Sequence, residues 1–73
     1  MARLYLNVGR RDRSTPEELE HFLIERGVTP RELQFHSSHS YFVVDEAQVE
    51  NTIQVLAGAR YGERTLVCER SHR

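Results

Sequence analysis

Apolar and polar residues alternate from the start of the chain: Leu4, Leu6 and Val8 fall on one side of an extended segment, and Arg3, Tyr5 and Asn7 on the other. A period of two over residues 3–8 predicts a strand with one buried face. The pattern then changes. Thr15-Pro16-Glu17-Glu18 combines a hydroxyl cap, a proline at the first helical position and a glutamate three residues after the cap, which together open a helix. Leu19, Phe22 and Leu23, with the aliphatic stem of Arg26, share one face until Gly27 supplies the stop. Residues 28–32 read as a turn around Pro30, residues 33–36 as a short second strand, and Ser37-Ser38-His39 as a hairpin connection. A third strand over residues 40–44 turns Phe42 and Val44 inward and Tyr41 and Val43 outward. Asp45 is placed to cap a second helix, with Gln48 in the capping-box position and Val49, Ile53 and Leu56 on one face up to Gly58. A loop through Arg60, Tyr61 and Gly62 leads to a last strand over residues 65–69, with Leu66 and Cys68 inward.

The predicted order is βαββαβ. Two interleaved βαβ units give an α+β, ferredoxin-like sandwich: a four-stranded antiparallel sheet with both helices on one face. The first and third strands become central neighbours, and the other sheet face is left to solvent. The 73 residues make one small domain, 1–73, which buries only about 60% of the surface its unfolded chain exposes.

Charge adds a second layer. A net charge of -1 argues against a generic polyanion binder, but the average conceals a partition. Arg3, Arg10, Arg11 and Arg13 face a single acid, Asp12, in the first 13 residues, whereas acidic residues gather on the two helices. All ten basic residues are arginine, whose planar fork grips phosphate and stacks on bases as lysine cannot; a genome-wide bias toward arginine is the competing explanation. The open face should carry Tyr5 and Tyr41 side by side, with His39 two residues before Tyr41. Exposed neighbouring rings are unfavourable unless something flat covers them, and nucleobases stack on such platforms at about 1–3 kcal/mol each. A purely structural cross-strand pair would contribute about 0.2–1 kcal/mol. Tyr5, Tyr41 and His39 are therefore candidate base-stacking residues, Asn7 a hydrogen-bonding group on the same face, and Arg3, Arg10, Arg11 and Arg13 candidate phosphate partners.

Leu4-Tyr5-Leu6-Asn7-Val8 resembles the short first-strand motif of RNA-recognition-motif domains, and His39-Ser40-Tyr41-Phe42-Val43-Val44 resembles the core of their third-strand motif. More specifically, residues 3–12 followed by Thr15-Pro16 and Leu19 resemble the DbpA-type RNA-binding domain, found at the C-terminus of a subset of bacterial DEAD-box RNA helicases. The resemblance runs over nearly the whole chain. It departs from the pattern at Ser37-Ser38, where a basic residue and glycine are usual, and at His39, which replaces an aromatic ring. It implies a fold of the RNA-recognition-motif type and a recruitment module that targets a longer, ATP-dependent helicase to structured RNA, with a hairpin of large-subunit ribosomal RNA as the expected partner. It also adds Arg64 to the RNA-binding set. The module itself is expected to be monomeric and cytoplasmic.

Other classes fit less well. The longest apolar run, residues 41–44, is too short for a membrane span or a signal peptide. The single Cys68 excludes an internal disulfide framework and a CxxC metal site. Neither a GxxxxGK[ST] phosphate loop nor any lysine occurs, so no ATPase chemistry, catalytic residue or cofactor is expected. His36 and His39 supply two of the ligands a metal needs, with no third nearby. Gly9-Arg10-Arg11 before a helix suggests an anion cradle like that of acylphosphatases, whose remaining loop pattern is missing. A protein-interaction module using the same sheet face is the main competitor to RNA binding. The polar tail from Glu69 to Arg73 reads as a solvated end, and Cys68 as a small core residue.

Overall fold

The computed structural model describes residues 1–71. Along the chain come β1 (Ala2–Leu6), α1 (Pro16–Glu25), β2 (Arg31–Phe35), β3 (Ser40–Val44), α2 (Val49–Leu56), β4 (Arg60–Tyr61), β5 (Arg64–Thr65) and β6 (Cys68–Arg70). The four longer strands form one antiparallel sheet in the order β2-β3-β1-β6. Leu4, Leu6, Phe42 and Val44 from its centre meet Leu19 and Leu23 of α1 and Val49 and Leu56 of α2 in a single core. Both helices thus cover one face, α1 toward β2 and α2 toward β6. This is the ferredoxin-like sandwich that the alternation predicts. Each fully buried leucine or phenylalanine contributes about 1.5–3 kcal/mol, and Leu4, Leu6, Leu19, Leu23, Phe42 and Leu56 are all at 0% exposure.

Local chemistry explains the first helix. The Thr15 hydroxyl accepts from the Glu18 N–H at 3.2 Å and donates to the Glu18 carboxylate. At the other end Gly27 takes φ 81°, which lets the Gly27 N–H reach the Ile24 carbonyl and the Val28 N–H reach the Leu23 carbonyl. Those are the two bonds of a Schellman stop. Arg26 lays its guanidinium 3.7 Å from the centroid of the Phe22 ring, so its head as well as its stem covers the apolar face.

Four expectations are corrected. Asp45 makes no side-chain cap: the chain leaves β3 through a single 3-10 turn over Glu46–Gln48, closed by the backbone bond from Gln48 N–H to the Asp45 carbonyl, and α2 starts only at Val49. Its buried face is correspondingly rotated, with Thr52 at 2% exposure and Ile53 only half-buried. The second strand begins at Arg31 rather than Leu33, because a bulge between Arg31 and Gln34, with Glu32 at φ 49°, absorbs the turn. The predicted loop after Gly58 is a small hairpin: Arg60 pairs with Thr65 and Tyr61 with Arg64 around Gly62-Glu63. Finally, the last strand runs over Cys68–Arg70 instead of residues 65–69, because Thr65 pairs with Arg60 in the hairpin; Arg70 thus joins β6 rather than a solvated tail, and the Ser71 N–H bonds the Arg3 carbonyl at 2.9 Å; His72 and Arg73 lie outside the described residues. Leu66 and Cys68 point inward as expected.

Candidate nucleic-acid interface

The uncovered sheet face follows directly from register. Tyr5 is the cross-strand partner of Tyr41, and Tyr41 of Gln34, so residues 3, 5, 34, 41 and 43 share the side opposite the core. Tyr5 and Tyr41 stand edge to face with ring centroids 5.9 Å apart. His39 lies 6.1 Å from Tyr5 and 5.3 Å from Tyr41. A fourth ring joins them: His36 stacks on His39 at 4.9 Å with an interplanar angle of 29°. The sequence presents His36 as a candidate metal ligand, not as a ring of this cluster. The signal for its place was the parity of β2, where Leu33 and Phe35 pack toward the core and the next outward positions are therefore Gln34 and His36.

Arg3 lies on this face rather than reaching away from it. Its guanidinium carbon is 4.2 Å from the Tyr41 ring centroid, and its Nη2 donates to Gln34 Oε1 at 2.9 Å. Asn7 is engaged within the protein: its side-chain carbonyl accepts from the Val67 N–H at 2.7 Å and its amide donates to the Thr65 carbonyl at 3.2 Å. The side chain braces the segment that leads into β6, and the hydrogen bond expected for a ligand is used there. Glu69, opposite Tyr5 on β6, puts a carboxylate on the far side of the face from His36.

The loop between β1 and α1 folds onto the β2–β3 hairpin. Arg10 N–H bonds the His36 carbonyl at 3.0 Å and Arg11 N–H the Ser37 carbonyl at 2.8 Å. Gly9 N–H donates to the Asp12 carboxylate and Asp12 N–H to the Gly9 carbonyl, each at 3.0 Å. These backbone donors are all occupied, so the loop is no open anion cradle of the acylphosphatase kind. Its arginine side chains remain outside. Arg13 ends the loop at φ 57°, a left-handed conformation rare for a residue with a side chain. Arg11 and Arg13 line a shallow groove with Arg64, Glu63 and Tyr61 of the β4–β5 hairpin. Tyr61 fixes that hairpin by packing edge-on against Phe22 and hydrogen-bonding the Ser14 hydroxyl.

The arginines differ in how their charge is answered. Arg64 pairs with Asp12, and Arg70 with Glu46 at 3.1 Å, a contact that holds the Glu46 carboxyl below its ordinary range and raises Arg70. Among the described residues, Arg3, Arg10, Arg11 and Arg13 have no carboxylate within ion-pairing distance. The geometry thus supplies a cluster of exposed aromatic rings with unneutralised guanidinium groups beside it, the pairing of stacking surface and positive charge that single-stranded nucleic acid requires. No helix among the described residues is long and apolar enough to cross a membrane.

No curated protein matches the chain as a relative. The family model of the DbpA RNA-binding domain matches residues 3–70, which takes in the platform, the arginine loop and both helices. The chain therefore belongs to the DbpA RNA-binding domain family and is an RNA-binding module.

Proposed function

We propose that this domain targets a DEAD-box, ATP-dependent RNA helicase, of which it forms a part, to structured ribosomal RNA in the cytoplasm, and itself performs no chemistry. Tyr5, Tyr41 and His39 receive unpaired bases, while Arg10, Arg11 and Arg13 hold the backbone phosphates that lead to them. The observation that carries the reading is the four-ring cluster on the uncovered sheet face within a chain whose family model is an RNA binder. Arg64, paired with Asp12, has a secondary role in this scheme. Fluorescence anisotropy against a panel of large-subunit ribosomal RNA hairpins with single-stranded flanks, with a scrambled duplex as control, tests it. Tyr5→Ala and Tyr41→Ala should each weaken binding by about 1–3 kcal/mol, the usual worth of a stacked base, with the melting transition retained. Parent-like binding by both variants would remove the sheet face from consideration and leave the loop arginines as the site.

A further inference from the structure

Of the four unneutralised arginines on the sheet face and first loop, Arg3 is the one held by both a ring and a side-chain amide. Its guanidinium carbon lies over the Tyr41 ring, 4.2 Å from the centroid, and its Nη2 is tied to Gln34 at 2.9 Å. Those contacts join three strands, since Arg3 is on β1, Tyr41 on β3 and Gln34 on β2. Holding a long side chain still sacrifices rotamer entropy, which a phosphate contact formed at the rim of a surface does not require in advance. The result is a delocalised cation held over the Tyr41 ring and tied at one edge to Gln34.

We propose that Arg3 seats a nucleobase, which stacks on the outer side of the guanidinium above Tyr41 while Gln34 holds one edge of that group. This deepens the RNA-binding function proposed above and rests on it. Two arguments favour a base over a phosphate at this position. Guanidinium planes serve as stacking surfaces for the splayed bases of single-stranded RNA, and an arginine already stacked on an aromatic ring presents such a plane ready-made. A phosphate would instead engage the guanidinium edge-on through a fork of two N–H donors, and one of the Nη2 donors is given to Gln34. The base assigned to Tyr41 is thus received on the Arg3 guanidinium that lies over that ring.

The test separates plane from charge. A fluorescein-labelled ribosomal RNA hairpin with single-stranded flanks is titrated with the parent, Arg3→Lys, Arg3→Gln and Gln34→Ala over a range of salt concentrations. Arg3→Lys keeps the charge and loses the plane. A stacked base predicts that Arg3→Lys and Arg3→Gln both bind about tenfold more weakly, with the parent's dependence of log affinity on log salt. Gln34→Ala, which frees the plane without removing it, should cost about threefold. Parent-like binding by Arg3→Lys, together with a salt slope in Arg3→Gln flatter by about 0.7, the value of one lost phosphate contact on a single strand, would overturn the seat and make Arg3 a phosphate ligand. A parent that fails to bind the hairpin refutes the RNA platform as a whole, whereas a binding parent with unaffected Arg3 variants refutes this seat alone. Thermal melting of each variant checks the sheet, and Gln34→Ala, exposed on β2, leaves the Arg3 side chain itself in place.

Discussion

Gly9 lies so close against His36 that a Cβ at Gly9 would stand 2.5 Å from the His36 carbonyl oxygen and 2.6 Å from the Ser37 carbonyl carbon. Both neighbours are backbone, so neither can swing away. Gly9 itself is extended, at φ -151°, a conformation any residue adopts; the need for glycine here is one of contact. That contact joins the arginine loop to the hairpin that carries His36 and His39.

Gly9→Ala should therefore destabilise the domain by about 2–3 kcal/mol, at the upper end for overpacking, and should weaken RNA binding through displacement of the histidine rings. A domain of this size has roughly 5 kcal/mol of stability in all, so the loss should be plain in urea unfolding. Gly27→Ala offers the contrast. Nothing lies within 4 Å of a Cβ there, and the obstacle is φ 81° alone. Its cost should be about 1–2 kcal/mol, the penalty of a left-handed residue, with RNA affinity unchanged.

The residues that alternate were the ones legible in the sequence. Leu4, Leu6, Phe42 and Val44 place the core side of the central strands, and that parity sets Tyr5 beside Tyr41 without further information. The first helix was equally readable, since its signals at Thr15, Pro16, Glu18 and Gly27 act within a few residues. What escaped depends on contacts far apart in the chain. Asn7 looks like a free outward amide until the Thr65–Val67 segment is placed 58–60 residues later. Asp12 and Arg64 are 52 residues apart, so no local pattern could say that this arginine is answered. The β4–β5 hairpin was hidden by its brevity, with two residues on each side of Gly62-Glu63, too few for alternation to register. Asp45 shows the converse failure: a cap signal was present, but the chain coming straight off β3 met a 3-10 turn first.

The difference between answered and unanswered arginines has a measurable consequence. With about three phosphate contacts to a single-stranded segment, log affinity should fall with log salt at a slope near -2. Exchanging Arg10 and Arg11 for glutamine should flatten that slope by about one to two units. Arg64→Gln should flatten it less than either single loop exchange, because Asp12 already offsets its charge. A parent slope near zero would remove the phosphate assignment; an Arg64 effect as large as that of Arg10 or Arg11 would show that RNA displaces Asp12.

Cys68 gives a pH prediction for the fold itself. Burial, reinforced by the neighbouring Glu69 charge, pushes its thiol up from 9.0 to about 11. A raised acid favours the protonated, folded form. Its contribution is thus complete below pH 9 and is lost as pH rises through about 11, amounting to roughly 2 kcal/mol over that window. The parent should lose more stability than Cys68→Ala between pH 9 and pH 11 in urea unfolding. At pH 8 the native thiol should resist iodoacetamide and react promptly once the domain is unfolded. Equal alkylation rates in the two states would mean that the β6 edge opens freely.

The histidine pair gives the corresponding prediction for RNA binding. His39 stands among the Tyr5, Tyr41 and His36 rings, with the Ser38 hydroxyl 3.1 Å from its Nδ1; Glu69, beyond Tyr5 on β6, supplies a carboxylate to the same face. Histidine is the side chain whose charge ordinarily changes between pH 5 and pH 8, and an imidazolium ring can stack on a base while attracting a phosphate. Bound RNA therefore favours the proton on the ring, and the complex holds more protons than its separated parts. The sign follows from linkage: affinity should strengthen, several-fold, as pH falls from about 8 to about 6. His39→Phe keeps a ring at this position and removes the charge; it should bind well and lose most of the pH dependence. His36→Phe should retain it. A parent and His39→Phe with equal pH dependence would make His39 a bystander, and loss of the dependence in His36→Phe instead would move the proton to the exposed end of the ring cluster.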